Sequence, residues 1–212
     1  MNTDAWIEML ARGAGAAPRA AALRRLAPAG VAGMFMSALL AVALLGPLPS
    51  AMFATSAPWI KLGYTGALAV AAGWLAARAS VPMGRTKRPQ RAVLAVVLTM
   101  ALLGAAVLAF WTAPDERIDA LMGRTWLQCP WNVLALSLPS LALTFWAMRG
   151  LAPTRPRLAG LAAGLLAGAL GALGYSLSCP EASPAFVAVW YTLGVALTGA
   201  VGMALGSRLL RW

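Results

Sequence analysis

Histidine is absent from the chain, and charged residues make up only 11% of its 212 positions, against about 25% in an average soluble domain. Without histidine there is no Ser-His-Asp triad, no Cys-His pair and no histidine-ligated metal. Only six acidic residues are present, so a site that needs paired carboxylates has few groups to draw on. We therefore expect the chain not to be an enzyme and to hold no permanent cofactor.

Apolar residues dominate instead. Hydrophobic residues make up 61% of the chain, and the mean hydropathy is +0.76, which leaves too little polar surface for a water-soluble fold. A helix needs about 20 apolar residues to cross the hydrocarbon core of a bilayer, and a helix satisfies its own backbone hydrogen bonds there. Charged residues are absent from six long stretches, namely 26–60, 62–77, 92–114, 125–148, 158–180 and 182–207.

These stretches predict an all-α, polytopic membrane protein built as a bundle of six transmembrane helices. Pro47 and Pro49 are expected to end the first helix, and Pro58 to begin the second. Because the second stretch is short, residues 58–60 are needed to complete it, with the Lys61 ammonium extending to the membrane interface. The six helices are predicted near residues 29–48, 58–77, 92–112, 129–148, 157–177 and 184–206.

Basic residues give the orientation. Fourteen of the 17 Lys and Arg residues lie on one side of this map, in the N-terminal segment, the second and fourth connections and the C-terminus. The positive-inside rule then places both termini in the cytoplasm of a multi-pass protein of the cell inner membrane, in contact with the lipid bilayer. The net charge of +11 is thus explained by topology. No basic stripe interleaved with aromatic residues is present outside the spans, so we expect no direct binding of nucleic acid.

Residues 1–26 are predicted to form a cytoplasmic N-terminal segment, followed by a six-helix transmembrane domain over residues 27–212. Within the segment, residues 3–11 predict a short amphipathic helix. A second short helix is expected to start at Pro18 and to run into the first span. In the first short helix the apolar and acidic residues occupy opposite sides; they are Trp6, Ile7, Met9 and Leu10 on one side and Asp4 and Glu8 on the other.

A helix this short is marginal alone and needs a partner surface. Attachment to the membrane surface is one interpretation. The acidic side of the helix is poorly suited to anionic lipid headgroups, however, which favours a protein partner.

Small residues recur every four positions in the last two predicted spans. Gly160, Gly164 and Gly168 form two overlapping GxxxG steps in the fifth helix, and Gly202 and Gly206 form one in the sixth. Such spacing lets helix backbones approach closely in lipid. We expect intramolecular packing of the bundle, with dimerisation through the fifth helix as the alternative.

Both cysteines fall on the predicted outer side of the membrane. Three interpretations are open for Cys129 and Cys179: a structural disulfide, two inert buried thiols, or a sensor whose thiols bind a transient soft metal ion or become oxidised. Glu181, two residues beyond Cys179, is a candidate third, oxygen ligand. A tetrahedral zinc site is disfavoured because no histidine and no third cysteine exist, and the absence of a Cys-x-x-Cys motif disfavours a thiol oxidoreductase.

The second half of the chain resembles a known family, NrsF, the membrane-bound negative regulators of sigma F. The resemblance is strongest over residues 126–212 and extends to the whole chain in length and number of helices. The residues that carry it are Trp126-Leu-Gln-Cys129, Leu136-Ser-Leu-Pro139, Leu151-Ala-Pro-Thr-Arg-Pro156, Leu158-Ala-Gly160, Tyr175 through Cys179-Pro-Glu181, Phe186, Val189-Trp-Tyr191, and Gly206 with Leu209-Leu-Arg-Trp212.

The resemblance implies an anti-sigma factor with six membrane helices that holds an extracytoplasmic-function (ECF) sigma factor inactive at the inner membrane. It further implies release on metal or oxidative stress, with two sensing cysteines at the positions of Cys129 and Cys179. Members of the family often have histidine directly before the second cysteine, where this chain has Ser178. That departure makes thiol chemistry the simpler interpretation of the site.

We therefore interpret the chain as a membrane-bound anti-sigma factor. The signal-sensing residues are expected to be Cys129, Cys179 and Glu181, with the two cysteines as candidate metal ligands. The residues expected to bind the sigma factor are Asp4, Trp6, Ile7, Glu8 and Leu10. Two alternatives of other classes are a small transporter or channel, disfavoured by the lack of an ionisable residue at mid-membrane depth, and a membrane thiol oxidoreductase.

Overall fold

The computed structural model describes residues 3–13, 20–82 and 84–210, and these are helical throughout apart from their connections. We number the helices along the chain. They are α1 (Thr3–Gly13), α2 (Ala21–Leu45), α3 (Ala57–Ala79), α4 (Lys87–Phe110), α5 (Arg117–Met122), α6 (Cys129–Arg149), α7 (Pro156–Tyr175) and α8 (Pro184–Leu209). A short 3₁₀ turn, Ser50–Ala54, precedes α3.

Six helices, α2, α3, α4, α6, α7 and α8, are long and apolar enough to cross a membrane. The predicted number of spans is therefore confirmed, and their centres agree with the predicted ranges. Helix α2 begins at Ala21 and continues through Pro28, so the helix extends upstream of the predicted span, in agreement with the short helix that was expected to run into it. The neighbouring helices of a membrane bundle stabilise a helix around a proline. Pro18, where the second short helix was expected to begin, lies outside the described residues.

Helix α7 is the centre of the bundle and packs against α8, α3, α6 and α2. The glycines of α7 bring its backbone into direct contact with the backbone of α8. A Cβ atom on Gly160 or Gly164 would collide with backbone carbonyl oxygens of α8, those of Gly202 and Thr198. The glycine spacing thus serves packing within one chain, as the sequence analysis favoured, since small residues let membrane helices come into backbone contact.

Serine hydroxyls join α2 to α6 in the interior. Ser37 Oγ donates to the carbonyl oxygen of Leu136 at 2.8 Å and lies 3.1 Å from Ser140 Oγ. On the other side of the same stretch, a Cβ atom on Gly174 of α7 would meet the backbone of Ser37. Buried hydroxyls need such partners because no water is available at this depth. Helix α2 is consequently held against both α6 and α7.

The core divides into two clusters of buried residues. One surrounds Phe145, Met148 and Leu166, toward the end of the bundle at which α6 ends and α7 begins. The other contains both cysteines, together with Tyr64, Tyr175 and Tyr191, at the opposite end. Helix α1, in contrast, has no buried residue.

The contact between α7 and α8 generates a first prediction. Gly164→Ala should lower the free energy of unfolding by about 1–3 kcal/mol, because the added methyl group forces two backbones apart. Gly66→Ala in α3 is the matched control, since a Cβ atom there meets nothing within 4 Å and alanine is the better helix former. Unfolding in mixed detergent micelles measures both. Equal stability of the two variants would contradict the packing described here.

Candidate functional site

The two cysteines lie at the same end of the bundle, and both are fully buried. Cys129 is the first residue of α6, and Cys179 lies in the connection between α7 and α8. The two thiols are not bonded to each other, yet they belong to one cluster and are within electrostatic reach of one another. The structure therefore brings together the two residues that the sequence placed fifty positions apart.

The backbone around each thiol is held by local hydrogen bonds. Cys129 N donates to Thr125 O at 2.8 Å, which extends the first turn of α6 backwards. Cys179 N donates to Tyr175 O at 3.0 Å, which attaches the connection to the last turn of α7. Each cysteine is thus attached through its backbone to the end of one long helix, Cys129 to α6 and Cys179 to α7.

Lys61 makes the most unusual contact of the site. Its side chain is fully buried, and Nζ donates to the carbonyl oxygen of Cys179 at 2.6 Å. The expectation that Lys61 extends to the membrane interface is therefore wrong. Burial of an ammonium group is costly unless it is hydrogen-bonded and has negative charge nearby. The carbonyl supplies the hydrogen bond, and the Glu181 carboxylate, within electrostatic reach, supplies the negative charge.

Glu181 connects the site to the segment before α6. Its Oε1 accepts hydrogen bonds from the backbone N–H groups of Arg124 (2.8 Å) and Thr125 (3.0 Å), and from Thr125 Oγ1 (3.0 Å). One carboxylate oxygen is therefore engaged in holding two connections together. No group of three His, Cys, Asp or Glu residues that could hold a metal ion is formed within the described ranges. Two thiols without a third ligand suit a soft cation of low coordination number better than tetrahedral zinc.

A second contact ties the Cys179 connection to the end of α2. Leu48 N donates to Leu177 O at 2.8 Å. Together with Lys61 and Glu181, this bond attaches residues 176–183 to three other parts of the chain. Movement at Cys179 would therefore displace the ends of α2, α3 and α6 that lie at the same end of the bundle.

All three tyrosines of the chain lie in the cysteine cluster, and sequence reasoning assigned them no role there. The Tyr175 and Tyr191 rings stack with centroids 5.6 Å apart, and both belong to the same buried cluster as Cys179. Tyr64 Oη shares a 2.6 Å hydrogen bond with Thr192 Oγ1. The sequence did contain a signal for this arrangement: the chain has only three tyrosines, and each lies close to the end of a predicted span on the side of the cysteines.

The expected sigma-binding residues lie far along the chain from the cysteines, in α1. The helix is formed over Thr3–Gly13, somewhat longer than predicted. Its apolar residues are exposed, with Ile7 at 60% and Leu10 at 65%, so they are free to contact a partner. Glu8 Oε1 pairs with Arg12 Nη2 at 2.7 Å on the exposed surface, where an ion pair of this kind contributes little stability.

No solved structure matches the chain. The "Probable anti-sigma-F factor NrsF" of Azospira oryzae is 41% identical over 214 residues, and the "Anti-sigma-F factor NrsF" of Caulobacter vibrioides is 41% identical over 217 residues; each alignment covers 100% of both chains. The model of the family described as "NrsF: Negative regulator of sigma F" matches residues 10–212. The chain therefore belongs to the NrsF family of negative regulators of sigma F.

Proposed function

We propose that the chain is a membrane-bound anti-sigma factor. It binds a sigma factor of the ECF type at the cytoplasmic face of the inner membrane and releases it on metal or oxidative stress. The observation that carries the regulatory role is the similarity over the full length to two proteins named as anti-sigma-F factors. Such a regulator acts by binding and needs no catalytic residues. The structural observations support two separate roles: α1 binds the sigma factor, and the end of the bundle that contains Cys129 and Cys179 senses the signal.

Helix α1 is the proposed contact for the sigma factor. Trp6, Ile7 and Leu10 are the apolar anchors, and exposed apolar side chains at helical spacing are typical of a helix that docks in a groove. Asp4 and Glu8 add negative charge on the other side, which complements the basic surface that a sigma factor uses to bind DNA. Binding at that surface would exclude DNA or polymerase.

Cys129 and Cys179 are the proposed sensor. The two thiols share one buried cluster, so a soft cation can be held by both sulfurs, or both can be changed together by an oxidant. Glu181 supports the sensor by holding the Cys179 connection to the segment before α6. The metal ion is the signal in this proposal and not a resident cofactor.

Helix α2 is the proposed route from the sensor to the sigma-binding segment. It packs against α6, which begins at Cys129, and against α7, which ends four residues before Cys179. At its other end the Arg25 guanidinium lies against Gly150, just beyond the end of α6. Between α2 and α3 lies an open apolar groove of about 850 Å³, so α3 does not hold α2 in place along this stretch. A displacement of α6 or α7 would thus reach residue 21, where the chain enters α2.

The sigma contact is tested by Leu10→Ala. Truncation of a central apolar anchor should weaken binding of the sigma factor about tenfold or more, measured as co-purification and as Kd with the full chain in detergent or nanodiscs. Leu39→Ala is the matched control, because Leu39 is exposed to a similar degree (69%, against 65% for Leu10) but lies in the span α2. Equal affinity of the two variants would remove α1 from the contact.

The sensor is tested with Cys129→Ser and Cys179→Ser in cells that carry a sigma-dependent reporter. Each variant should keep basal repression and lose induction by silver ion or by diamide, because the paired thiols are gone. Ser178→Ala is the control beside Cys179; its buried hydroxyl has no partner among the described residues, so its loss should leave induction intact. Full induction in both cysteine variants would refute cysteine sensing and leave the sigma contact standing.

The orientation is tested with single cysteines in a background that lacks the two native ones. Ala113→Cys lies in the connection between α4 and α5, and Thr154→Cys in the connection between α6 and α7; both positions are exposed. In intact spheroplasts a membrane-impermeant maleimide should label the first and spare the second. The reverse pattern would place the proposed sensor in the cytoplasm and overturn the proposal.

A further inference from the structure

The open groove between α2 and α3 lies in the half of the bundle away from the cysteines. Its walls are formed by residues 20–34, at the start of α2, and by residues 69–81 of α3. Leu166 and Leu170 of the central helix α7 form its floor. At Gly73 the wall of α3 has no side chain, and a Cβ atom there would reach the Leu166 side chain at 3.7 Å. The groove therefore gives access from the surface of the bundle to α7.

The length and polarity of the groove suit an acyl chain. Its wall in α3, residues 69–81, extends over about 18 Å along the helix axis. The hydrocarbon of one leaflet is about 15 Å thick, half of the core of the bilayer. Arg78 alone is charged among the residues that line the groove, and it lies near one end of the wall.

A smaller and more polar pocket of about 420 Å³ adjoins the groove at Arg78 and Val81, which line both. The connection between α3 and α4 contributes Thr86 to this pocket, and the connection between α6 and α7 contributes Thr154 and Arg155. None of the residues that line the groove or the pocket is acidic. Guanidinium groups and hydroxyls are the donors that bind phosphate oxygens in proteins. An apolar groove thus continues into a pocket suited to a phosphate group.

Two helices begin at the polar pocket, α4 after Thr86 and α7 after Arg155. No side chain of the described ranges caps the first N–H groups of either helix. Such N–H groups carry partial positive charge and add to the attraction for an anion. The ammonium group of a zwitterionic headgroup, in contrast, would find cations here and no carboxylate.

We propose that the groove and the polar pocket together bind an anionic phospholipid. An acyl chain lies in the groove against Leu166 and Leu170, and the phosphate lies in the pocket lined by Arg78 and Arg155. A free phosphate ion would use the pocket and leave the apolar groove unused, so the combination favours a lipid. A seated lipid fills the space between α2 and α3 and restrains the start of α2. The site depends neither on the sigma contact nor on cysteine sensing.

The phosphate contacts are tested with Arg78→Gln and Arg155→Gln in the full chain. Native mass spectrometry of the protein in detergent, titrated with dioleoylphosphatidylglycerol, gives the Kd for the lipid. Each variant should weaken binding about fivefold, since one contact between a basic residue and an anionic headgroup is lost. Arg85→Gln is the matched control: Arg85 lies in the connection between α3 and α4 and is exposed, but it lines neither the groove nor the pocket, so the Kd should not change.

The acyl-chain contact is tested with Gly73→Leu, whose side chain enters the groove without a change of charge. Binding of dioleoylphosphatidylglycerol should weaken about tenfold, because lost contact for about two methylene groups is enough for that change. Gly66→Leu is the matched control, since Gly66 lies about two turns away on α3 and does not line the groove. A Cβ atom on Gly66 meets nothing within 4 Å, and the Kd should stay as in the unaltered chain.

Three results would overturn the proposal. The first is equal affinity of the unaltered chain for dioleoylphosphatidylglycerol and dioleoylphosphatidylcholine, which would mean that any lipid of the bilayer occupies the groove. The second is displacement of the lipid by inorganic phosphate together with an unchanged Kd in Gly73→Leu, which would leave a site for a free anion. The third is a dimer in the mass spectrum that Gly73→Leu abolishes, which would assign the groove to a second copy of the chain.

Discussion

The bundle depends on the direct backbone contact between α7 and α8. Inside lipid there is little hydrophobic gain from bringing two helices together, so association relies on close packing and on hydrogen bonds. Gly160 and Gly164 allow α7 to approach α8 until a single methyl group would not fit. That approach leaves α7 free to pack on α2, α3 and α6 as well. The last turn of α7 thereby positions Tyr175 and the Cys179 connection at the end of the bundle.

The polar groups at that end are arranged around one short connection. Lys61, Leu48 and Thr125 each bond to a residue between positions 176 and 183. Lys61 lies in α3, Leu48 in the connection after α2, and Thr125 in the segment before α6. A loop fastened in this way does not move alone, because a displaced carbonyl or carboxylate leaves a buried donor unpaired. A displacement of this connection would therefore be transmitted to several helices at once.

Charge-free stretches were enough to predict the six spans and the first residues of four of their helices, but not the residues at which α2 and α4 begin. Hydropathy locates the part of a helix within hydrocarbon, and polar residues such as Lys87 and Arg24 continue the helix beyond it. The shared location of Cys129 and Cys179 followed from topology. The burial of Lys61 did not, because a lone lysine near a span end is equally consistent with a side chain that reaches water. Tyr191 could not be predicted either, since its position depends on an added residue in a π turn that has no period in the sequence.

Complete burial of both sulfurs decides which agents can act on them. Neither cysteine presents any surface to the outside, so a folded redox protein has no access to either atom, and only a small ion or molecule can enter. The Cys179 connection is held to α3 and to the segment before α6 by hydrogen bonds, and a local opening that breaks these bonds would expose it. Under the proposed sensing role, the rate of response would be limited by how often that local opening occurs.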